Sequence, residues 1–142
     1  PEAPETLRNL ANAGVKLGVV TNCSETLGQI AALRTGAAFD VIVTAEHAGW
    51  YKPDPRAYQA ALDQLHLPPQ RCLFVAGSAY DLPGAAAAGL QTYWHNRTGM
   101  AALAGVPEPL AQHRSLNPLP GIVLADRHLT STHTVNPTQA SR

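Results

Sequence analysis

Thr21 and Asn22 close the apolar run VKLGVV, Lys52 follows the run DVIVTAE, and Ser78 and Asp81 follow the run CLFVAG. If each run is a strand of one parallel sheet, these polar groups gather beyond the strands' carboxyl ends, where ligands of α/β sheets bind. Hydroxyl, amide, ammonium and carboxylate together suit the binding and stabilisation of a small anionic reactant. Each has a plainer reading alone. A threonine at a strand end caps the next element, a loop lysine is solvated, and Ser-x-x-Asp opens a helix. The stretch WYKPDPRAYQAAL, residues 50–62, argues against the plain reading for the lysine. Pro53 and Pro55 restrict the backbone directly after Lys52, so the cation is held at low entropic cost.

The elements that must position these groups follow from periodicity. Glu2 to Ala13 reads as a helix with Leu7, Leu10 and Ala11 on one face, stopped by Gly14. Val15 to Val20 reads as a buried strand, and Ser24 caps a helix through about Arg34 with Glu25 in its first turn. Asp40 to Glu46 is a second strand. Asp54 caps the next helix, Pro55 takes its first position, and Ala57, Ala61, Leu62 and Leu65 form its stripe. Cys72 to Gly77 is a third strand, Ser78 to Gly89 a capped helix of small residues, and Gln91 to Asn96 a fourth strand. Pro83 is tolerable only near the start of its helix. Helices alternating with continuous apolar strands predict a parallel sheet covered on both faces, with right-handed crossovers. RTGMAALAG, residues 97–105, reads as a loop with a short helix. Residues 125–142 read as a polar, disordered tail, so the predicted domain spans 1–124.

Composition narrows the function. The chain has 142 residues, 45% hydrophobic and 14% charged, enough for one core. Zero formal net charge gives no electrostatic case for nucleic acid or an anionic membrane surface. No apolar run approaches the roughly 20 residues that span a bilayer. Cys23 and Cys72 lack metal-ligand spacing and read as reduced thiols of a cytosolic protein. His128 and His133 have no cysteine nearby and only Asp126 as a carboxylate, too few ligands to argue for a zinc site. Gly77-Ser78-Ala79 is not a serine-hydrolase elbow.

VVTN, YKPDPRAY and LFVAGSAYDLPGAAAAG, in that order and spacing, resemble the second, third and fourth motifs of the haloacid dehalogenase-like hydrolases. WHNRTG, residues 94–99, and Tyr58 further resemble the type II 2-haloacid dehalogenases. The resemblance runs from about Ala3 to Gly105. It implies a three-layer α/β/α Rossmann-like core and an aspartate that attacks the substrate, forming an ester that water hydrolyses. It makes Thr21, Asn22 and Tyr58 substrate-binding residues. Lys52 would keep the nucleophile ionised, as a cation within ~4–6 Å does. Asp81, supported by Ser78, would organise ester hydrolysis. It also implies a homodimer.

The chain departs from the pattern in one respect that matters. Asp40, Asp54, Asp63, Asp81 and Asp126 are its aspartates, and none opens the family's first motif. The expectation is therefore a core portion whose central strand, nucleophile and cap lie upstream of Pro1, inactive alone and with two strand edges unpaired. Aligned on Asp81, Gly77 stands where phosphatase members carry a Mg²⁺-binding acid. That favours metal-free dehalogenation of a small anionic substrate, with no cofactor. A Mg²⁺-dependent phosphatase is the alternative within the family, and a non-catalytic domain binding an anion or partner is the alternative outside it.

Overall fold

The computed structural model describes residues 2–131, with side chains placed through residue 125. Helix α1, Ala3–Asn12, leads into strand β1, Gly18–Thr21; helix α2, Glu25–Arg34, connects it to β2, Val41–Thr44. The two strands are parallel, with Gly18 opposite Val41 and Thr21 opposite Thr44. Asp40 starts the ladder: its carboxylate accepts from Leu17 N–H at 2.8 Å while its own N–H donates to the Leu17 carbonyl at 2.8 Å. Ser24 caps α2 as expected, accepting from Leu27 N–H.

The second strand stops earlier than its apolar run suggests. Thr44 turns the chain by accepting from His47 N–H at 3.1 Å, which opens the short helix α3, Ala45–Ala48. A threonine side chain offering such a cap outcompetes continued extension. Helix α4, Pro55–Leu65, begins where Asp54 caps Arg56 N–H at 2.9 Å.

A second ladder carries β3, Leu73–Ala76, β4, Gln91–His95, and β5, Ala111–His113, all parallel. The expected helix 78–89 divides into a 3₁₀ turn, Ala79–Asp81, and α5, Leu82–Ala87. Ser78 Oγ accepts from Tyr80 N–H at 3.2 Å and so serves the 3₁₀ turn. Strand β5 went unread because AQH has no apolar run; as an edge strand it is held by backbone pairing. Residues 97–110 contain no helix. Gly99 and Gly105 sit at φ of 72° and 76°, which ends each attempted turn.

Helix α6, Leu119–Ser131, corrects the predicted tail. The helix continues through 125–131, so the boundary at 124 cuts it in two. Leu119, Ile122 and Val123 recur at helical spacing and pack with Leu10, Leu17 and Tyr93, so the helix is anchored by its first turns. The rest of the predicted tail, 132–142, lies outside the described residues.

Alternate side chains of β4 face opposite sides of the sheet. Tyr93 enters the cluster under α1 and α6, while Trp94 packs with Ala76, Ala79 and Leu82. A third cluster joins the ladders: Val20 of β1 and Phe74 of β3 both pack on Ala57, Tyr58 and Ala85 of α4 and α5. Among the described residues, β1 pairs only with β2 and β3 only with β4, so each presents one open edge.

Candidate active site

Lys52 and Asp81 form the centre of the polar edge. Nζ lies 3.3 Å from Oδ1 and 3.4 Å from Oδ2 of Asp81, with the side chains only 16% and 17% exposed. The ammonium also stands 5.8 Å above the centre of the Phe74 ring. A pair this sheltered is less screened by salt than a surface pair. It joins the two ladders, because Lys52 follows β2 and Asp81 follows β3.

The Lys52 loop is held from both sides. On the β1 side, Asn22 Oδ1 accepts from Lys52 N–H at 2.7 Å, and Asn22 Nδ2 donates to the Lys52 carbonyl at 3.0 Å. On the α5 side, the Pro53 carbonyl occupies the space a Cβ on Gly84 would need, with Tyr58 also close. Glycine at 84 is thus set by close backbone approach. Asp54 N–H donates to the Tyr51 carbonyl at 2.9 Å, and the Lys52–Pro53 peptide is cis.

Tyr58 is fully buried, and its hydroxyl donates to the Asp81 backbone carbonyl at 3.0 Å. Burial, with a smaller contribution from the Asp81 charge, raises its pKa above the ordinary phenol range, so it stays a donor. At the loop's outer side the Arg56 guanidinium lies over the Trp50 ring and grips Asp54 through Nε at 2.9 Å and Nη2 at 2.7 Å. Arg56 thereby holds the Asp54 carboxyl at about 2.

Thr21 ends β1, half-buried, with Oγ1 3.5 Å from Cys23 Sγ. Ser78 Oγ accepts from Tyr80 N–H and keeps its own proton to donate. The structure therefore links Asn22, Lys52, Tyr58 and Asp81 by direct contacts and places Thr21 at the end of β1 and Ser78 just after β3. Reasoning from sequence missed Gly84, whose role is visible only once Pro53 is packed against it. It also missed Glu46, whose carboxylate accepts from Glu25 N–H at 2.6 Å at the start of α2.

Mg²⁺ can be tested against the residues present. Gly77 supplies no carboxylate and has open space where a Cβ would stand, while the Asp81 carboxylate is engaged by Lys52. One committed carboxylate is a poor donor set for a cation that seeks oxygen ligands in octahedral array.

Comparison with known proteins gives this geometry a lineage. The chain is 38% identical over 101 residues to (S)-2-haloacid dehalogenase 4A of Burkholderia cepacia, covering 70% of this chain and 44% of that protein. It is 35% identical over 102 residues to phosphatase MT3486 of Mycobacterium tuberculosis, covering 70% of this chain and 47% of that one. The crystal structure of an L-2-haloacid dehalogenase superposes with a TM-score of 0.78 at 30% identity, covering 87% of this chain and 56% of that one. The chain thus spans about half the length of the relatives it matches. The model of the haloacid dehalogenase-like hydrolases matches residues 1–89, well over half of the chain, and the chain belongs to that hydrolase family.

Proposed function

We propose that this chain supplies the lysine–aspartate half of a site that removes halide from a small 2-haloacid through an aspartyl ester. The observation that supports it is the sheltered Lys52–Asp81 pair at the carboxyl edge, joining two ladders whose strands β1 and β3 are each paired on one side only among the described residues. A strand seated between β1 and β3 would bring an aspartate to that edge. The carboxylate attacks the substrate's C2, the carbon–halogen bond breaks, and halide leaves with the electron pair. Water then adds to the ester carbonyl, releasing the 2-hydroxyacid, one proton and the carboxylate. Lys52 keeps the nucleophile ionised. Thr21 and the remaining N–H of the Asn22 amide receive the substrate carboxylate, while Asp81 and Ser78 orient the hydrolytic water. The donor set around Gly77 favours a reaction without metal. From the family resemblance we also take a homodimer, and from the two unpaired cysteines a cytosolic setting.

The phosphatase reading has the 35% identity to phosphatase MT3486 in its favour. A chain carrying both ladders and the strand between them distinguishes the two. Chloride released from 2-chloropropionate in EDTA supports the dehalogenase; phosphate release that EDTA abolishes overturns it. The 142-residue chain by itself, with no aspartate opening a first motif, is expected to release no halide.

A further inference from the structure

We propose that the cleft between Trp94 and Arg114, away from the Lys52–Asp81 pair, binds a small organic carboxylate with an apolar body. Two cavities make up the cleft, and Gln112 lines both. The larger, about 370 Å³, has Leu82, Leu103 and Val106 around Trp94. The smaller, about 250 Å³, has Asn96, Met100 and Arg114. Together they are the size of an ordinary small-molecule site.

Strand geometry brings these groups to one face. Trp94 stands opposite Gln112 in the β4–β5 register, and Asn96 and Arg114 follow each of them two residues on. His113 takes the other face, where its ring stacks on Tyr93. Two residues along a strand separate the Trp94 row from the Arg114 row by about 7 Å.

Two donors in the cleft lack partners. Trp94 is 1% exposed, yet its Nε1–H has no hydrogen-bond partner among the described residues. An indole N–H can only donate, and a buried donor left unpaired costs its desolvation. Arg114 likewise forms no ion pair or hydrogen bond among the described residues. Its guanidinium lies over Gly99, where a Cβ would stand 2.7 Å from Nη2. The loop carrying Gly99 is tied down by Asn96, which bonds Met100 N–H and carbonyl at 2.8 Å each. Glu108 is the one charged residue lining the larger cavity, so an anion is repelled there and drawn toward Arg114. The ligand that fits has its apolar body on Trp94, one oxygen acceptor for the indole N–H, and a carboxylate about 7 Å away that pairs with the guanidinium.

4-Methoxyphenylacetate has an ether oxygen and a carboxylate at about that spacing and serves as the probe. Trp50 and Trp94 are the chain's two tryptophans, so a ¹H–¹⁵N spectrum of the 142-residue chain shows two indole cross-peaks, assigned with Trp50→Phe. The Trp94 indole proton should move downfield and saturate, while that of Trp50 stays. Affinity should exceed that of 2-(4-methoxyphenyl)ethanol, which lacks the charge, by about tenfold. It should exceed that of 4-ethylphenylacetate, which lacks the ether oxygen, by about threefold. Arg114→Gln, at an exposed position, should erase the preference for the acid and leave the alcohol's affinity unchanged.

No saturable shift, or an Arg114→Gln that weakens acid and alcohol alike, overturns the proposal. Equal affinity for the methoxy and ethyl acids also overturns it, because a water then already satisfies the indole. Loss of binding in a chain carrying both ladders and the strand between them would mean that added residues fill the cleft, and overturns it too. None of these readouts uses halide release, so the site stands or falls separately from the haloacid reading.

Discussion

Two asparagines in this chain make nearly the same hydrogen bonds with different consequences. Asn96 accepts from Met100 N–H at 2.8 Å and donates to the Met100 carbonyl at 2.8 Å. Asn22 does the same to Lys52 at 2.7 and 3.0 Å. Asn96 is only 5% exposed and closes a turn four residues long, while Asn22 is exposed and closes a loop of 30. The first contact organises its own loop, 97–110, and reaches no other element. The second ties the end of β1 to the residue between α3 and α4, and through Lys52 to Asp81 beyond β3. Chemistry is shared; the sequence separation of the partners decides whether a contact shapes a turn or assembles a site.

The comparison breaks most severely at Gly84. Gly84→Ala places a methyl against the Pro53 carbonyl, and the Lys52 loop must move to admit it. The expected loss is about 3 kcal/mol in urea unfolding, with acetylation of Lys52 by acetic anhydride raised relative to that of the exposed Lys16. Asp81→Asn removes the charge facing Lys52 at a site about five-sixths buried. Leaving that ammonium without its carboxylate should cost about 2 kcal/mol, read by the same unfolding curve. Asn96→Ala should cost about 1.5 kcal/mol and expose residues 97–110 to limited proteolysis. A changed Lys52:Lys16 acetylation ratio in that variant would erase the distinction between the two contacts.

Smaller effects follow from titration. Tyr58 and Tyr93 both have hydroxyl pKa values raised, chiefly by burial. Raised folded-state values mean that the stability they contribute is complete below the ordinary tyrosine range and is lost as pH climbs through the folded values. Unfolding free energy should therefore be level up to about pH 10 and fall above it, and Tyr58→Phe should flatten that fall. Asp54 shows the opposite sign. Held at about 2 by Arg56, it contributes above the ordinary carboxylate range and loses that contribution as pH falls toward about 2. The effect should be the smallest of the set because the pair is exposed. Helical circular dichroism of Asp54→Asn against wild type between pH 2 and about 5 would measure it.

Much of the fold was legible because its signals are local. Ser24 and Asp54 begin their helices where a capping side chain precedes an apolar stripe, and β1, β3 and β4 coincide with short apolar runs. What escaped had no local signature or a competing one. Strand β5 is a polar edge strand, α3 depends on a single Thr44 cap, and α6 carries its stripe in the first turns and reads as polar beyond them. Of the site, the charged and hydroxyl groups could be picked from their places after the runs. The contacts of Asn22 and Tyr58 could not, because each reaches the backbone of a residue in another element.

Residue order alone determined that this chain alternates helix and parallel strand, and that Thr21, Lys52, Ser78 and Asp81 fall on one edge. That follows from period and strand direction, which are properties of short segments. Only the tertiary structure decided that Lys52 meets Asp81, that Asn22 bonds the Lys52 backbone, and that Gly84 makes room for Pro53. Those are distances between segments, set by how α4 and α5 pack across two ladders, and no local pattern encodes them.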